Sequence, residues 1–174
     1  MWVSDVTLLQ AMIPCQYIPW LEKPYRLADA LRRVCHELCV QVLYQGDGPL
    51  AEEERDYLRL PITEHRCYVR KVLLTGDNVP FCFAYIIIPY VTYHQYEPAF
   101  LNLGQRLFGD TLLYANSKTT RSVFQYGLIP AEGIDYDPDL KGCLPARRSI
   151  FYMDGIFPVL ITESFLAKIP CYQE

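Results

Sequence analysis

Hydrophobic and polar positions alternate along much of this chain, as they do in β-strands with one buried face. The alternating stretches are rich in β-branched and aromatic residues, and turn residues or prolines separate them. They cover residues 38–44, 67–74, 79–88, 121–128, 148–153 and 159–166. The pattern therefore predicts six strands.

Two pairs of these strands are so close in sequence that each pair predicts a hairpin. Residues 75–78 join the second strand to the third, and Asp154-Gly155 joins the last two. Gly, Asp and Asn adopt positive φ angles at low cost, which tight turns require. Residues 46–49 predict another turn after the first strand, and the Gly-, Asp- and Pro-rich residues 130–145 predict a loop.

Helical spacing of apolar residues occurs in residues 24–34 and again in residues 96–113. Gly104 and Gly109 interrupt the second stretch, which predicts a short helix, a loop and a second short piece. The acidic residues 51–59 predict a helical turn at the surface. Six strands with few helices indicate an α+β fold, with a single, mostly antiparallel β-sheet and helices packed on one face.

Composition and charge narrow the class of protein. The chain has 174 residues, of which 51% are hydrophobic and 21% are charged, so we expect one globular domain over residues 1–174. Its net charge of −4 argues against nucleic acid as a partner. Prolines break the longest uncharged run, and no basic cluster precedes the short apolar N-terminal stretch. We therefore expect neither a membrane span nor a secretory signal.

Seven cysteines and three histidines show no recognisable metal-binding spacing. The number of cysteines is odd, and none are spaced as Cys-x-x-Cys. Cys35, His36 and Cys39 leave a zinc site open, but thiols that act as small hydrophobes in a reducing cytosol fit better. We therefore predict a cytoplasmic protein without a metal.

Two charged residues fall on apolar faces of predicted strands. Glu163 lies on the apolar face of the last strand, whereas Thr162 and Ser164 point the other way. Arg70 lies on the opposite face of its strand from Lys71. A buried arginine can hold a ligand carboxylate through two hydrogen bonds, and a partly desolvated glutamate suits general acid/base work. A structural ion pair, or charges at strand ends that reach water, would give the same pattern.

Several segments, in order along residues 66–166, resemble the chorismate pyruvate-lyase family. The matching residues are Arg70 with the turn Gly76-Asp77 and the strand end Pro89, Leu103-Gly104 with Leu107-Phe108, Thr120-Arg121, Arg147-Arg148-Ser149, and Thr162-Glu163. Arg70 and Glu163, which strand alternation also singles out, fall on the two main functional positions of the family.

The resemblance implies a lyase that converts chorismate to 4-hydroxybenzoate and pyruvate without a metal or organic cofactor. Arg70 would bind the ring carboxylate, and Glu163 would serve near the ring hydroxyl and the departing ether. The backbone N–H of Leu103 would be a second donor to the carboxylate, and Ala30 aligns with a further backbone contact. The ligand would be buried beneath helical flaps, in a monomer or weak dimer.

Three features depart from the family pattern. The turn Gly76-Asp77 reverses the usual order, and residues 127–143 form a longer excursion. Asp29, beside Ala30, would be unfavourable if it faced an anionic ligand.

Two other functions stay open at this stage. The resemblance extends to the effector-sensing domains of some bacterial transcription regulators, so a non-catalytic domain that binds an aromatic carboxylate is the alternative. Such a sensor has no need of Glu163, whereas the lyase does. A diverged family member that acts on another cyclohexadiene or benzoate is the third hypothesis, because a fold does not fix a function.

Overall fold

The computed structural model describes residues 1–134, 136 and 141–174. Within these ranges, eight strands form one sheet in which every neighbouring pair is antiparallel. The strands are β1 Trp2–Val3, β2 Leu38–Pro49, β3 Arg66–Gly76, β4 Val79–Ile88, β5 Thr120–Arg121, β6 Gln125–Pro130, β7 Cys143–Met153 and β8 Phe157–Phe165. Their order across the sheet is β1-β6-β7-β8-β4-β3-β2, and β5 pairs with β7. The predicted antiparallel α+β fold is confirmed.

Short helices cover both faces of this sheet unequally. The α-helices of the described residues are α1 Ile18–Glu22, α2 Leu27–Leu31, α3 Glu52–Tyr57 and α4 Tyr90–Leu101. A π-helical turn follows at Gly109–Leu113, and 3-10 turns occur at Val6–Leu9, Cys15–Tyr17 and Ala131–Gly133. We call the face that carries Arg70 the Arg70 face. α1, α2 and α4 pack on the Arg70 face, whereas the end of α3 packs on the other.

Two apolar clusters on the Arg70 face hold the helices against the sheet. In the first, the N-terminal segment buries Trp20 and Leu31 completely against strand residues such as Phe165. In the second, the end of α4 buries Phe100 against residues of β4 and β8. The removal of this apolar surface from water is the main source of stability. The sheet between the two clusters is left to line a cavity.

The first strand is longer than its sequence pattern indicated, and the turn predicted at residues 46–49 is wrong. These residues continue β2 and pair with residues 66–69 of β3. Gly and Pro are tolerated there because β2 is an edge strand, and an edge strand can carry residues without a pairing N–H. A bulge between Val42 and Tyr44 moves Tyr44 to the opposite face from Val42.

Both predicted hairpin turns are present. Asp77 and Asn78 have φ angles of 50° and 66°, and Asp154 and Gly155 have φ angles of 50° and 77°. All four lie in the left-handed region that two-residue hairpin turns require. Glycine is thus unnecessary at the centre of the first turn.

Several boundaries differ from the sequence pattern. α4 begins at Tyr90 rather than near residue 96, because Pro89 ends β4 and caps the helix at once. The strand predicted at residues 121–128 is two strands, β5 and β6. β7 begins at Cys143 rather than at residue 148, so part of the predicted loop is strand. Residues 135 and 137–140 of that loop lie outside the described residues.

Candidate active site

A cavity between the two apolar clusters brings Arg70 and Glu163 together. It measures about 600 Å³ when the open solvent at its mouth is included. The sheet contributes apolar side chains to its floor, and two segments close it from above. The floor residues besides Arg70 and Glu163 are Val40, Val72, Leu74, Ala84, Ile86, Phe151 and Ile161. The closing segments are α2, which we call the α2 flap, and residues 106–114, which we call the 106–114 flap.

Strand register places Arg70 and Glu163 at opposite ends of the cavity floor. Arg70 is level with Ile86 of β4 and Ile161 of β8, whereas Glu163 lies two residues further along β8. The Cα atoms of Arg70 and Glu163 are roughly 12 Å apart, because they are separated by two strand spacings across the sheet and by two residues along the strand. This span leaves room for one six-membered ring between the two side chains.

Arg70 is a buried cation held by neutral oxygens. Its side chain is 2% exposed, and its Nη2 donates to the carbonyl oxygens of Gly104 at 2.7 Å and Arg106 at 3.3 Å. Its Nη1 donates to Oε1 of Gln45, and its Nε is buried without a partner in the described ranges. Burial lowers the pKa of Arg70, because desolvation disfavours the charged form. Of the carboxylates that the structure describes, none forms an ion pair with it.

Strict alternation continued from Val42 would place Gln45 on the face away from Arg70. The bulge in β2 adds one residue, so Gln45 pairs with Arg70 and shares its face. A bulge leaves little trace in the pattern of hydrophobic positions, so this contact could not be predicted from that pattern.

Glu163 is paired with Arg147, a buried arginine whose role was not predicted and which was named above only in the motif Arg147-Arg148-Ser149. Nε of Arg147 lies 2.5 Å from Oε2 of Glu163, and the Arg147 side chain is fully buried. Nη1 of Arg147 donates to the carbonyl oxygens of Leu21 at 3.2 Å and Pro24 at 2.6 Å. This guanidinium stabilises the negative charge of Glu163 and fixes its position. Extending the alternation of β7 back to Arg147 would have placed it on the Arg70 face.

Arg121 is a half-buried arginine near this end of the cavity. Its guanidinium stacks on the rings of Phe124 at 4.0 Å and Phe151 at 4.5 Å. Burial lowers the pKa of Arg121, and the negative charge of Glu163 opposes that shift. Burial also raises the pKa of Tyr114, which lines the cavity, to about 12. Tyr114 is therefore a neutral phenol at physiological pH.

Leu103 and Ala30 do not line the cavity. The backbone N–H of Leu103 donates to the carbonyl oxygen of Phe100 at 3.3 Å, and its side chain is 1% exposed within the second cluster. Ala30 is buried in the first cluster, and the α2 residues that line the cavity are Leu27 and Ala28. The roles of Leu103 and Ala30 as ligand contacts stay predictions.

Ion pairs join the two flaps across the mouth of the cavity. Asp110, in the 106–114 flap, binds Nη2 of Arg26 at 3.1 Å and Nη2 of Arg32 at 2.6 Å. Asp29 binds the same two arginines, at 3.4 Å and 3.0 Å, and does not line the cavity. The negative charge of Asp29 is therefore balanced by these two arginines and does not face the cavity.

The described ranges contain neither a metal-binding cluster nor a membrane-spanning helix. No group of three or more His, Cys, Asp or Glu side chains there is arranged to hold a metal ion. Among the helices described, none has the length and apolar character needed to cross a membrane.

Solved structures with a similar fold are effector domains of transcription regulators. One is the C-terminal domain of PhnF, with a TM-score of 0.60 and 14% identity, covering 75% of this chain and 83% of that one. Another is the C-terminal domain of the histidine utilization repressor from Pseudomonas syringae pv. tomato, with a TM-score of 0.59 and 8% identity, covering 79% of this chain and 97% of that one. At these identities the likeness shows the fold alone.

Sequence relatives are closer. The chorismate pyruvate-lyase of Cronobacter sakazakii is 31% identical over 98% of this chain and 90% of its own length. The probable chorismate pyruvate-lyase of a Shewanella species is 38% identical over 84% of this chain and 78% of its own length. The family model described as chorismate lyase matches residues 2–174. The chain therefore belongs to the chorismate lyase family.

Proposed function

We propose that this protein converts chorismate to 4-hydroxybenzoate and pyruvate in the cavity on the Arg70 face. One observation carries the proposal: a buried, carboxylate-free cation at Arg70 and a fixed carboxylate at Glu163 flank a ring-sized apolar space. A planar ring with an acidic group at one end and a hydroxyl at the other matches that arrangement. Membership of the chorismate lyase family supports the same substrate.

The proposed reaction is an elimination that makes the ring aromatic. The C4–H bond breaks and its electron pair enters the ring, while the C3–O bond breaks and its pair stays on the enolpyruvate oxygen. A proton then adds to the methylene carbon of the enolpyruvate, which gives pyruvate. One proton leaves the ring and one enters the three-carbon fragment, so the reaction needs no net proton, oxidant or reductant.

Arg70 binds the ring carboxylate in this proposal. Its planar guanidinium can offer two parallel hydrogen bonds, and the ligand supplies the counter-charge that the described residues do not. The incoming carboxylate replaces the carbonyl oxygens of Gly104 and Arg106 as acceptor. The predicted backbone contacts at Leu103 and Ala30 would then arise from movement of the two flaps.

Glu163 acts at the other end of the ring, near C4 and the ether oxygen. Arg147 holds the Glu163 carboxylate in place at this end of the ring, and in this proposal that carboxylate accepts the C4 proton and passes it to the methylene carbon. The apolar floor keeps water from competing for that proton.

A direct assay tests this proposal. Purified protein mixed with chorismate should release 4-hydroxybenzoate and pyruvate in equal amounts, measured by chromatography and a coupled dehydrogenase. Glu163→Gln keeps the size of the side chain but cannot accept the proton, so turnover should fall about 10²–10⁴-fold. The matched control is Glu132→Gln, which changes an exposed carboxylate away from the cavity. Folded protein that forms neither product over hours would contradict the proposal.

The sensor alternative rests on the fold alone. It predicts that 4-hydroxybenzoate or a similar ring acid binds while chorismate is not turned over. The fixed carboxylate at Glu163 favours the lyase, because the reaction needs a group that accepts the C4 proton, whereas binding alone needs no base there.

Three further expectations complete the proposal. We place the protein in the cytoplasm, supported by seven cysteines that are all free thiols. We propose that residues 1–174 act as one domain, supported by a sheet whose strands come from both ends of the chain. We expect a monomer or weak dimer, which light scattering would check.

A further inference from the structure

A second cavity adjoins the first at the end that holds Glu163. Leu113, Tyr114 and Phe151 line both spaces, and the rings of Tyr114 and Phe151 meet edge to face with their centroids 5.8 Å apart. The second cavity holds about 440 Å³ including its mouth. Two aromatic side chains therefore form the wall between an apolar space and its neighbour.

The second cavity is polar, and two of its polar groups have no partner among the described residues. Arg121 lines it and donates through Nε to Oγ of Ser149 at 2.8 Å and through Nη1 to the hydroxyl of Tyr114 at 3.3 Å and to the carbonyl oxygen of Tyr25. Its Nη2 makes no hydrogen bond to any residue that the structure describes. Oγ1 of Thr119, another lining residue, is buried and also lacks a partner there.

Charge strengthens the case for an anion at this position. Within the described part of the chain, no carboxylate lies within ion-pair distance of Arg121, and burial disfavours an uncompensated cation. A small anion would supply both the missing charge and the missing hydrogen-bond acceptor.

The sheet places this cation where the proposed reaction produces a second anion. Arg121 pairs with Phe151 on β7, two strands beyond Glu163 and four strands away from Arg70. The substrate carries two carboxylates, one on the ring and one on the three-carbon group at C3. If Arg70 binds the first and Glu163 faces C4, the three-carbon group is directed toward Arg121.

We propose that Arg121 and the polar cavity form the subsite for the carboxylate of the three-carbon fragment, first as enolpyruvyl ether and then as departing pyruvate. This inference rests on the proposed function and adds a separate place for the smaller product. The aromatic product stays in the apolar cavity, while the small charged product leaves through the polar one.

An experiment on the unaltered protein separates the two subsites. Pyruvate should raise the apparent KM for chorismate, whereas the Kd of 4-hydroxybenzoate, measured by calorimetry, should change less than about twofold when pyruvate is present. Pyruvamide, which lacks the charge, should not raise the KM. If pyruvate displaces 4-hydroxybenzoate, or does not inhibit at all, the inference is overturned.

Variants give an independent test. Arg121→Met should raise the KM for chorismate about tenfold to hundredfold, as the loss of a charged hydrogen bond does. The Kd of 4-hydroxybenzoate should stay within about twofold, and Arg121→Lys should restore part of the KM. Arg148→Met is the matched control, since Arg148 is another buried arginine stacked on rings, but it faces the other side of the sheet.

The outcomes distinguish this inference from the proposed function. If the unaltered protein does not turn over chorismate, the proposed function fails. If it does, and Arg121→Met leaves the KM unchanged or weakens 4-hydroxybenzoate binding to the same extent, Arg121 is structural and the subsite is wrong.

Discussion

Arg70 combines deep burial with hydrogen bonds to oxygens that carry no net charge. Carbonyl dipoles replace only part of the hydration that a guanidinium loses on burial. Such a group contributes little to folding, and a hydrophobic side chain of similar volume is often tolerated in its place. The position of Arg70 is therefore better explained by binding than by stability.

This argument predicts opposite effects of Arg70→Met on stability and on binding. The melting temperature of the empty protein should stay within about 3 °C of the original or rise, because a buried charge is removed. With 4-hydroxybenzoate at about 100 times its Kd, the original protein should gain about 2.7 kcal/mol, or roughly 5–10 °C in Tm. Thermal unfolding with and without ligand measures both quantities.

The ligand-induced rise should disappear in Arg70→Met. Lys71→Met should retain it, because Lys71 lies on the opposite face of β3. Equal loss in the two variants would mean that the ligand does not bind to Arg70.

At the scale of elements, ion pairs join the two flaps. Asp110 and Asp29 bind the same two arginines, whose side chains are 41% and 45% exposed. Exposed ion pairs contribute about 0.2–1 kcal/mol each and weaken with salt. Opening of the flaps is therefore expected to depend on ionic strength.

Arg32→Gln should release 4-hydroxybenzoate about twofold to tenfold faster, because it removes the pair with Asp110 that joins the two flaps. Stopped-flow measurement of the release rate between 0.05 M and 0.5 M salt would check this. Added salt should also increase the release rate of the original protein, and this increase should be smaller for the variant. Lys23→Gln, which breaks an exposed pair with Glu174 elsewhere, should behave like the original protein.

The first hairpin turn also anchors the chain that follows α2. The carboxylate of Asp77 accepts hydrogen bonds from the backbone N–H groups of Glu37 at 2.8 Å and His36 at 3.0 Å. These bonds lower the pKa of Asp77, the bond from Glu37 having the larger effect. A lowered pKa in the folded state means that the stabilisation is present above the ordinary pKa of about 3.9. It is lost as the pH falls through the folded-state value.

Asp77→Ala should therefore lower the melting temperature at pH 7 and flatten its fall between about pH 5 and pH 2. Thermal unfolding across this pH range measures the effect. Glu132→Gln, at an exposed carboxylate, should reproduce the original curve. A variant curve parallel to the original would show that the Asp77 bonds do not contribute.

Across the whole molecule, the sequence predicted which side chains share a face of the sheet wherever the strands are regular. Arg70 and Glu163 share a face because residues 68–74 of β3 and the paired residues of β4 and β8 contain no bulge, so alternation holds there. Gln45 escaped prediction because a bulge reverses alternation, and Arg147 escaped because β7 begins before its most regular stretch. Leu103 and Ala30 came from family resemblance, and their contacts depend on flap positions that no local pattern encodes.

The two faces of the sheet also differ in how completely charge is balanced. On the far face, Arg148 has Glu53 at 3.1 Å and the amide oxygen of Gln125 at 2.9 Å. On the Arg70 face, the buried Arg70 and the half-buried Arg121 lack carboxylates among the described residues. Arg148 thus has its counter-charge within the protein, whereas Arg70 and Arg121 would gain one from a bound anion.

The carbonyl groups that hold the Arg70 guanidinium belong to the chain entering the 106–114 flap. When a carboxylate binds, the Arg70 guanidinium therefore exchanges its hydrogen bonds to the backbone for hydrogen bonds to the ligand. The affinity of a ring acid therefore reflects the difference in free energy between Arg70 bound to these carbonyl oxygens and Arg70 bound to the ligand carboxylate. An inhibitor that also donates hydrogen bonds to the carbonyl oxygens of Gly104 and Arg106 would replace the bonds that those oxygens lose. The rate of amide hydrogen exchange at residues 104–108 would then report whether a ligand is bound in the cavity.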